Sequence, residues 1–436
     1  MNNKNILLLP ALVERAKDAA RAVKQGVHVS ITEVSDTALT ELLGLEQFDV
    51  TGYGIERDKQ QDIVHIYCKN NIDASLCPRC HAVSTSIKEH KDRCVRDCDV
   101  WGRRTFLHFQ IRRLECPECG HRFTEELKDV GWKRRQTIRF ELQVYEECLG
   151  GNKKRTAEMF HLSQTAVKRI FKRWAKKKRK GKQFGLVKVL GIDEISVKKR
   201  HKQFVVVISD LERHCVLAVL PDRKHKTIKK WLDSLSDEQR ASIKTVSMDM
   251  WGPYRSFFKK HLPKAHRVAD RFHVMQQLNK QLGKARLAHQ RNADAEMQEL
   301  LKGCRWLFVM NRDNLSEKQE KKLMTALNAI PELKRIYLLK EEFRLVFERI
   351  QDKQQAERFL QAWICKAQAS GSKQLRAFIK TLRNWWSEIL NYFDGRITNG
   401  FVEGINRAIR GIIWHAYGFR NFGNFQLQIL AEHGFS

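Results

Sequence analysis

The 436-residue sequence predicts a multidomain α+β chain, and three observations carry that expectation. Two C-P-x-C pairs sit among alternating, strand-like segments in the first third. A strongly basic stretch of helical texture follows them. Beyond it come apolar strands that end in carboxylates, then more than a hundred residues with little turn punctuation that read as helices.

Hydrophobic residues at 42% and aromatic residues at 9% are enough for real cores and exclude a disordered chain. The net charge of +31 points to a polyanionic partner, most simply nucleic acid. That charge is unevenly placed. Residues 1–130 hold 19 Lys and Arg against 20 Asp and Glu, and residues 131–183 hold 17 against 4, a net +13 in a short span. Residues 184–436 carry 45 against 26. The start, Asn5 to Val13, is short, broken by Pro10 and a poor secretory signal. No apolar run approaches the roughly 20 residues that span a bilayer, so no membrane partner and a cytoplasmic place are expected.

Residues 1–40 read as an amphipathic helical lead-in through Leu12, Val13, Ala16, Ala20 and Val23. Residues 41–130 hold the alternating segments Ile63–Cys68 and Phe106–Ile111 and the pairs Cys77-Pro-Arg-Cys80 and Cys116-Pro-Glu-Cys119. Eleven cysteines are too sparse for a disulfide scaffold. Each pair instead offers two thiolates from a tight turn, and four thiolates complete a tetrahedral zinc shell. Two knuckles joined by strands make a zinc ribbon, with a long spacer that implies an extended arm. Cys94 and Cys98 are alternative ligands without a turn motif, and His81 and His121 read as surface residues.

Residues 131–183 are expected to form a helix-turn-helix domain with a basic linker. Lys153–Phe160 and Gln164–Trp174 are the two helices, Ala157 permits their close crossing, and Leu162, Val167 and Ile170 fill the shared core. Ser163 caps the second helix, and His161 stands at the turn position often held by Gly. Gln164, Thr165, Lys168 and Arg169 would face the major groove, and the run Lys176–Lys182 would track phosphates.

Residues 184–270 begin with an apolar strand ending in Asp193-Glu194. Two strands, a helix, a strand ending in Asp249, a helix and a strand ending in Asp270 follow. That order belongs to an RNase H-like α/β core, in which the first and fourth strands are neighbours, so Asp193 and Asp249 would lie side by side. Adjacent carboxylates suit divalent cations, and phosphodiester chemistry uses two Mg²⁺ (or Mn²⁺) ions. Residues 271–395 read as an all-helical insertion. A helix in 396–436 carries Glu403 as the third acid, with Asn406, Arg407 and Arg410 expected on the same face and the two arginines placed to hold DNA phosphate.

Taken together, these segments resemble a DDE transposase of the ISL-three family of bacterial insertion sequences. The resemblance runs from about residue 40 to the C-terminus. It rests on the two cysteine knuckles, Gly191-Ile-Asp193-Glu194, Met248-Asp249-Met-Trp-Gly-Pro-Tyr254, Val268-Ala-Asp270-Arg-Phe-His-Val274, Thr398-Asn-Gly-Phe-Val-Glu403-Gly-Ile-Asn406 and Ala416-Tyr-Gly-Phe-Arg-Asn-Phe422. It implies a zinc-binding N-terminal domain, a helix-turn-helix and an RNase H-like catalytic core interrupted by a helical insertion. By matching positions it implies Asp193, Asp249 and Glu403 as catalytic metal ligands, with Asp270 in reserve for Asp249.

The activity so implied is binding to the terminal inverted repeats, then metal-dependent strand cleavage and transfer to target DNA. The partners are double-stranded DNA and further copies in a dimer or larger synaptic complex, and the setting is the bacterial cytoplasm, in association with the nucleoid. Gly411–His415 is less basic than a DNA contact there would call for. The rival reading is a non-catalytic zinc and helix-turn-helix DNA-binding regulator, against which stands the intact Asp–Asp–Glu set. A structure-specific nuclease would share the metal site but has no need of an end-recognition domain.

Overall fold

The computed structural model describes residues 29–33, 37–57, 62–198, 203–397 and 400–435. The expected lead-in at Leu12–Val23 lies outside them. The chain divides into two compact units, Met1–Trp174 and Ala175–Ser436.

In the first unit the strands are β1 (Val29–Glu33), β2 (Phe48–Glu56), β3 (Ile63–Asn70), β4 (Ser75–Leu76), β5 (Val83–Ser84), β6 (Ile87–Val100), β7 (Arg103–Glu115) and β8 (Arg122–Thr124). Its helices are α1 (Thr37–Leu43), α2 (Ile138–Glu147), α3 (Lys153–Met159) and α4 (Gln164–Arg179), whose residues from Ala175 onward belong to the second unit. The main sheet runs β1-β2-β3-β7-β6, with β8 on β7 and β4 paired to β5. Period-two alternation builds one apolar face from Phe48, Val50, Val64, Ile66, Val95, Leu107 and Phe109. Val29–Glu33 pairs antiparallel with β2, so this end of the expected helical lead-in is strand, held by the sheet edge it completes.

The extended arm is the hairpin β6/β7, which turns at Trp101 and Gly102, both at positive φ as a two-residue hairpin turn requires. Buried carboxylates fasten α2 and α4. Asp97 accepts from Thr137 Oγ1 at 2.6 Å and pairs with Arg139. Glu141 takes Arg134, Arg173 and the Trp174 indole N–H. A fully buried carboxylate is tolerable only with donors of this number and charge.

The second unit holds β9 (Val189–Lys198), β10 (Gln203–Asp210), β11 (Cys215–Leu220), α5 (His225–Asp233), α6 (Asp237–Ser242), β12 (Thr245–Met248), α7 (Gly252–His261) and β13 (His266–Ala269). Its sheet runs β11-β10-β9-β12-β13. The first three strands are antiparallel, while β12 is parallel to both β9 and β13. This is the expected RNase H-like arrangement, with first and fourth strands adjacent. On one face Leu190, Ile192, Val206, Met248 and Val268 pack with Ile228 and Leu232 of α5 and Tyr254, Phe257 and Phe258 of α7. Leu211 packs directly over Gly191: a Cβ there would meet Leu211 Cδ2 at 2.7 Å and force that side chain to move.

The same core continues into the insertion. Its helices are α8 (Arg271–Arg291), α9 (Ala295–Leu301), α10 (Arg305–Val309), α11 (Glu317–Ala329), α12 (Pro331–Arg349), α13 (Lys353–Ala369), α14 (Lys373–Asn384) and α15 (Trp386–Leu390). Phe343, Trp363 and Phe378 meet edge-to-face at its centre. The C-terminal segment folds as two helices, α16 (Gly400–His415) and α17 (Phe422–His433), where the sequence reading expected one. A tight turn ends α16, and Asn421 caps α17 by accepting from Asn424 N. Ile405, Ile409, Ile412, Phe425 and Ile429 cover the second sheet face over Ile195, Val205, Val207 and Val219. Among the described residues no helix is long and apolar enough to cross a membrane.

Candidate active site and nucleic-acid interface

Cys77 and Cys80 lie in the β4/β5 turn, and Cys116 and Cys119 in the β7/β8 turn. Each turn closes the same way. His81 N donates to Cys77 O at 2.9 Å and Gly120 N to Cys116 O at 3.0 Å, with His81 and Gly120 both at positive φ. The four sulfurs lie within 4.8 Å of one another, Cys77 and Cys119 at 3.7 Å and Cys80 and Cys116 at 3.4 Å. A tetrahedron of about 2.3 Å zinc–sulfur bonds has edges near 3.8 Å, so the donor set fits a structural zinc ion. Burial opposes ionisation of Cys77, but the amides of Cys80 and Arg79 outweigh it and lower the thiol to about 7. Cys80 gains from the Ala82 amide, yet the neighbouring Cys116 and Cys119 push it up to about 12. Cys94 and Cys98 stand outside the cluster; Cys94 lies 3.8 Å from His108.

In the helix-turn-helix, His161 takes φ 52° at the turn and Ser163 Oγ accepts from Ala166 N at 3.2 Å. Ala157, Val167 and Ile170 are buried, and Leu162 is half-buried. Gln164, Thr165, Lys168 and Arg169 are all exposed along one side of α4. The start of the basic run is not linker. Lys176–Arg179 extend α4 by a further turn, since straight-chain Lys and Arg are good helix formers. Within the second unit, Lys176, Lys177, Arg179, Lys180 and Leu427 line a cleft of about 450 Å³.

The carboxylates come together at the ends of two strands. Parallel pairing matches Met248 with Ile192, so Asp249 and Asp193 are the next residues on neighbouring strands. Asp193 follows the alternation of Ile195 onto the face that α16 covers, and there Asn406 Nδ2 donates to its Oδ2. Asn406 can meet a carboxylate only through its NH₂, which leaves its buried Oδ1 with no hydrogen-bond partner among the described residues. Burial raises the Asp193 carboxyl above its usual range, against the Glu194 amide, His273 and Asn406.

Asp270 has other duties. It caps α8 through Phe272 N and accepts from His273 Nδ1, both at 2.9 Å. The same ring nitrogen lies 3.8 Å from Asp249 Oδ1, and three carboxylates overcome burial to lift His273 to about 9. Asp249 is 39% exposed and accessible, whereas both oxygens of Asp270 are engaged.

Glu403 sits in the first turn of α16, exposed, 3.5 Å from Arg407. Contrary to the expectation from the sequence, Asn406 does not face outward with Arg407 and Arg410. It lies at the edge of the buried side of α16, next to Val402 and Ile409, and is held against β9, while the two arginines are exposed. Among the described residues only the four cysteines gather as three or more potential metal ligands within 4.8 Å, so Asp193, Asp249 and Glu403 do not all meet at that distance, and the adjacency of Asp193 and Asp249 rests on strand register. Sequence reasoning missed His273, although the Asp-x-x-His spacing from Asp270 was a signal. It also missed Arg223, which ion-pairs with Glu194 at 3.0 Å while lying over Phe204 and Trp251.

A transposase family model matches residues 190–429, spanning this strand pair and α16. The chain belongs to the ISL3 family of transposases. Two further matches agree with its order of parts: the zinc finger of the transposases of IS204, IS1001, IS1096 and IS1165 at 73–119, and the helix-turn-helix domain of transposase family ISL3 at 125–175. The chain is 30% identical over 403 residues to the transposase for insertion sequence element IS1001 of Bordetella parapertussis, covering 91% of this chain and 98% of that protein. It is 28% identical over 351 residues to the transposase for IS1557 in two strains of Mycobacterium tuberculosis, covering 74% and 77%. The chain is thus a transposase with a DNA-binding helix-turn-helix, and the regulator reading is not favoured.

Proposed function

We propose that this transposase binds the terminal inverted repeats of an insertion sequence and catalyses metal-dependent strand cleavage and strand transfer. The observation that carries the reading is the pair Asp193 and Asp249 at adjacent strand ends, braced by Asn406 from the helix that bears Glu403. The donors are hard oxygens, and the buried Oδ1 of Asn406 adds another beside Asp193, a set suited to Mg²⁺ or Mn²⁺. Asp193, Asp249 and Glu403 would hold two such ions, and the four cysteines a structural Zn²⁺. When bound, the ions supply Lewis-acid stabilisation of the attacking and leaving oxygens.

The chain's own groups do the remaining work. His273, fixed by Asp270, steadies Asp249, and the Asn406 amide holds Asp193 in one rotamer. Arg407 and Arg410 hold phosphates beside the reacting one. Water attacks phosphorus and the 3′ oxygen leaves; the freed 3′ hydroxyl then attacks a target phosphorus and expels the target strand's 3′ oxygen, with no covalent protein intermediate. Gln164, Thr165, Lys168 and Arg169 read base edges, and Lys176–Arg179 follow the backbone. Two ends must meet, which calls for a dimer or larger synaptic complex, working on DNA in the cytoplasm.

Asp193→Ala is expected to abolish cleavage and strand transfer of DNA bearing the flanking repeats in Mg²⁺, while gel-shift affinity for those ends stays within about twofold. Full strand transfer by that variant would sink the assignment.

A further inference from the structure

Helix α16 carries its exposed residues as one stripe. Glu403, Arg407, Arg410 and Trp414 are all exposed and recur at steps of four, three and four, while Ile405, Asn406, Ile409 and Ile412 between them are buried. Trp414 lies eleven positions beyond Glu403, about 16 Å along the axis. The stripe therefore runs from an acid through two cations to a tryptophan that is 76% exposed. Trp414 has a second aromatic neighbour in sequence, Tyr417, 92% exposed.

The turn that holds these rings goes against backbone preference. Gly418 N donates to Ile413 O at 2.8 Å and Tyr417 N to Trp414 O at 3.0 Å, the paired bonds of a Schellman helix end. The left-handed position in that motif ordinarily belongs to glycine. Here it is Tyr417, at φ 52°, with Gly418 following at φ 90°. A bulky residue in that conformation, with its ring in solvent, is not there for packing. Residues held in such conformations cluster at functional sites, and here, unlike at the Trp101 hairpin turn, the position is one that helix ends ordinarily give to glycine.

Resting on the active-site reading above, we propose that Trp414 and Tyr417 form a stacking site for an unpaired base of the DNA strand that runs along α16 from the catalytic carboxylates. The occupant follows from the charge beside the rings. Arg407 and Arg410 precede them on the stripe and Arg420 follows in the loop, so a polyanion is drawn along the helix to a π-surface that accepts any base. The segment Gly411–His415, short of positive charge, thus contributes to DNA binding by stacking and not by ion pairing.

The test uses the full chain and synthetic duplexes, blunt or with a short single-stranded overhang carrying 2-aminopurine at successive positions. Wild type is expected to bind the overhang duplex about tenfold more tightly than the blunt one and to quench 2-aminopurine at one position. Trp414→Ala should remove both effects, Trp414→Phe should restore them, and an abasic residue at the quenched position should make wild type behave as Trp414→Ala. Asp193→Asn should keep the quenching and lose cleavage, which separates this proposal from the active-site reading. Unchanged quenching and overhang preference in a folded Trp414→Ala protein overturns the stacking site. So does a shift of that variant to a smaller species on gel filtration, which would make this face an interface between copies.

Discussion

Four cysteines from two tight turns already place their sulfurs 3.4 and 3.7 Å apart, whereas the carboxylates at 193, 249 and 403 come from two strands and a helix 56 and 154 positions apart in sequence. The knuckles are local devices, each closed by its own amide and a left-handed residue after the second cysteine. The carboxylate site depends on the fold. Parallel pairing of β9 with β12 sets two of its acids side by side, and one amide, Asn406, ties the helix bearing the third to the sheet. A site built from turns is complete once those turns close; one built from distant elements forms only when the sheet has paired and the apolar side of α16 has packed onto it.

The largest effect should come from breaking the local device. Removing metal with a chelator, or Cys116→Ser, is expected to abolish protection from hydrogen exchange in the two knuckles, 75–84 and 115–124, since a structural zinc is worth on the order of 10 kcal/mol of folding free energy. The 189–269 sheet should keep its protection. A knuckle still protected in chelator would refute a structural zinc.

A second probe lies in the same unit, on the polar side of its sheet. His65 Nε2 donates to Glu56 at 3.0 Å, leaving Nδ1 to accept from His108 Nε2 at 2.8 Å. Burial, with His65 beside it, holds His108 at about 4. The unfolded residue takes up its proton near pH 6.5. The stabilisation is therefore whole above about pH 6.5 and is lost as pH falls toward 4, bounded at about 3 kcal/mol. Urea midpoints at pH 7 and pH 5 should differ for wild type and converge for His108→Gln. Equal midpoints in wild type would mean that the ring is not held neutral.

In the second unit the corresponding probe is Asn406→Ala. Removing a group that orients a metal-binding carboxylate costs about 10- to 100-fold in activity, so the cleavage rate should fall by that factor with DNA affinity unchanged. A variant with the wild-type rate would show that the α16 contact does not organise the site.

These outcomes bear on how much of the molecule was legible in the sequence. The knuckles, Ser163 and His161 were readable because their geometry is set within a few residues. The strand order placed Asp193 beside Asp249 because apolar runs ending in acids mark strand ends. Asn406 was misread because helical spacing groups residues only roughly, and which side of α16 is buried is decided by Ile405, Ile409 and Ile412 meeting β9–β11. Arg223 was missed because its partner Glu194 lies on a strand brought near only by the sheet, and of His273 only the local bond to Asp270 was legible, its closeness to Asp249 being set by the pairing of β12 and β13. The strand Val29–Glu33 was missed because its pairing with β2 is tertiary.

The smallest effect is the one that opposes stability to function. Tyr417 occupies a left-handed helix-end position where a side chain crowds the backbone and glycine does not. Tyr417→Gly should relieve that crowding, offset in part by the greater freedom of glycine in the unfolded chain, for a net gain on the order of 1 kcal/mol in urea unfolding. Helix packing should not suffer, because the lost ring is exposed and the paired bonds of the turn do not involve it. If the ring is there only by drift, the variant is more stable and handles DNA as before. If it is there to stack, the same variant is more stable and binds overhang DNA less well. A more stable protein with weaker binding cannot be put down to misfolding, so this substitution separates a strained cap kept for DNA from one kept for nothing.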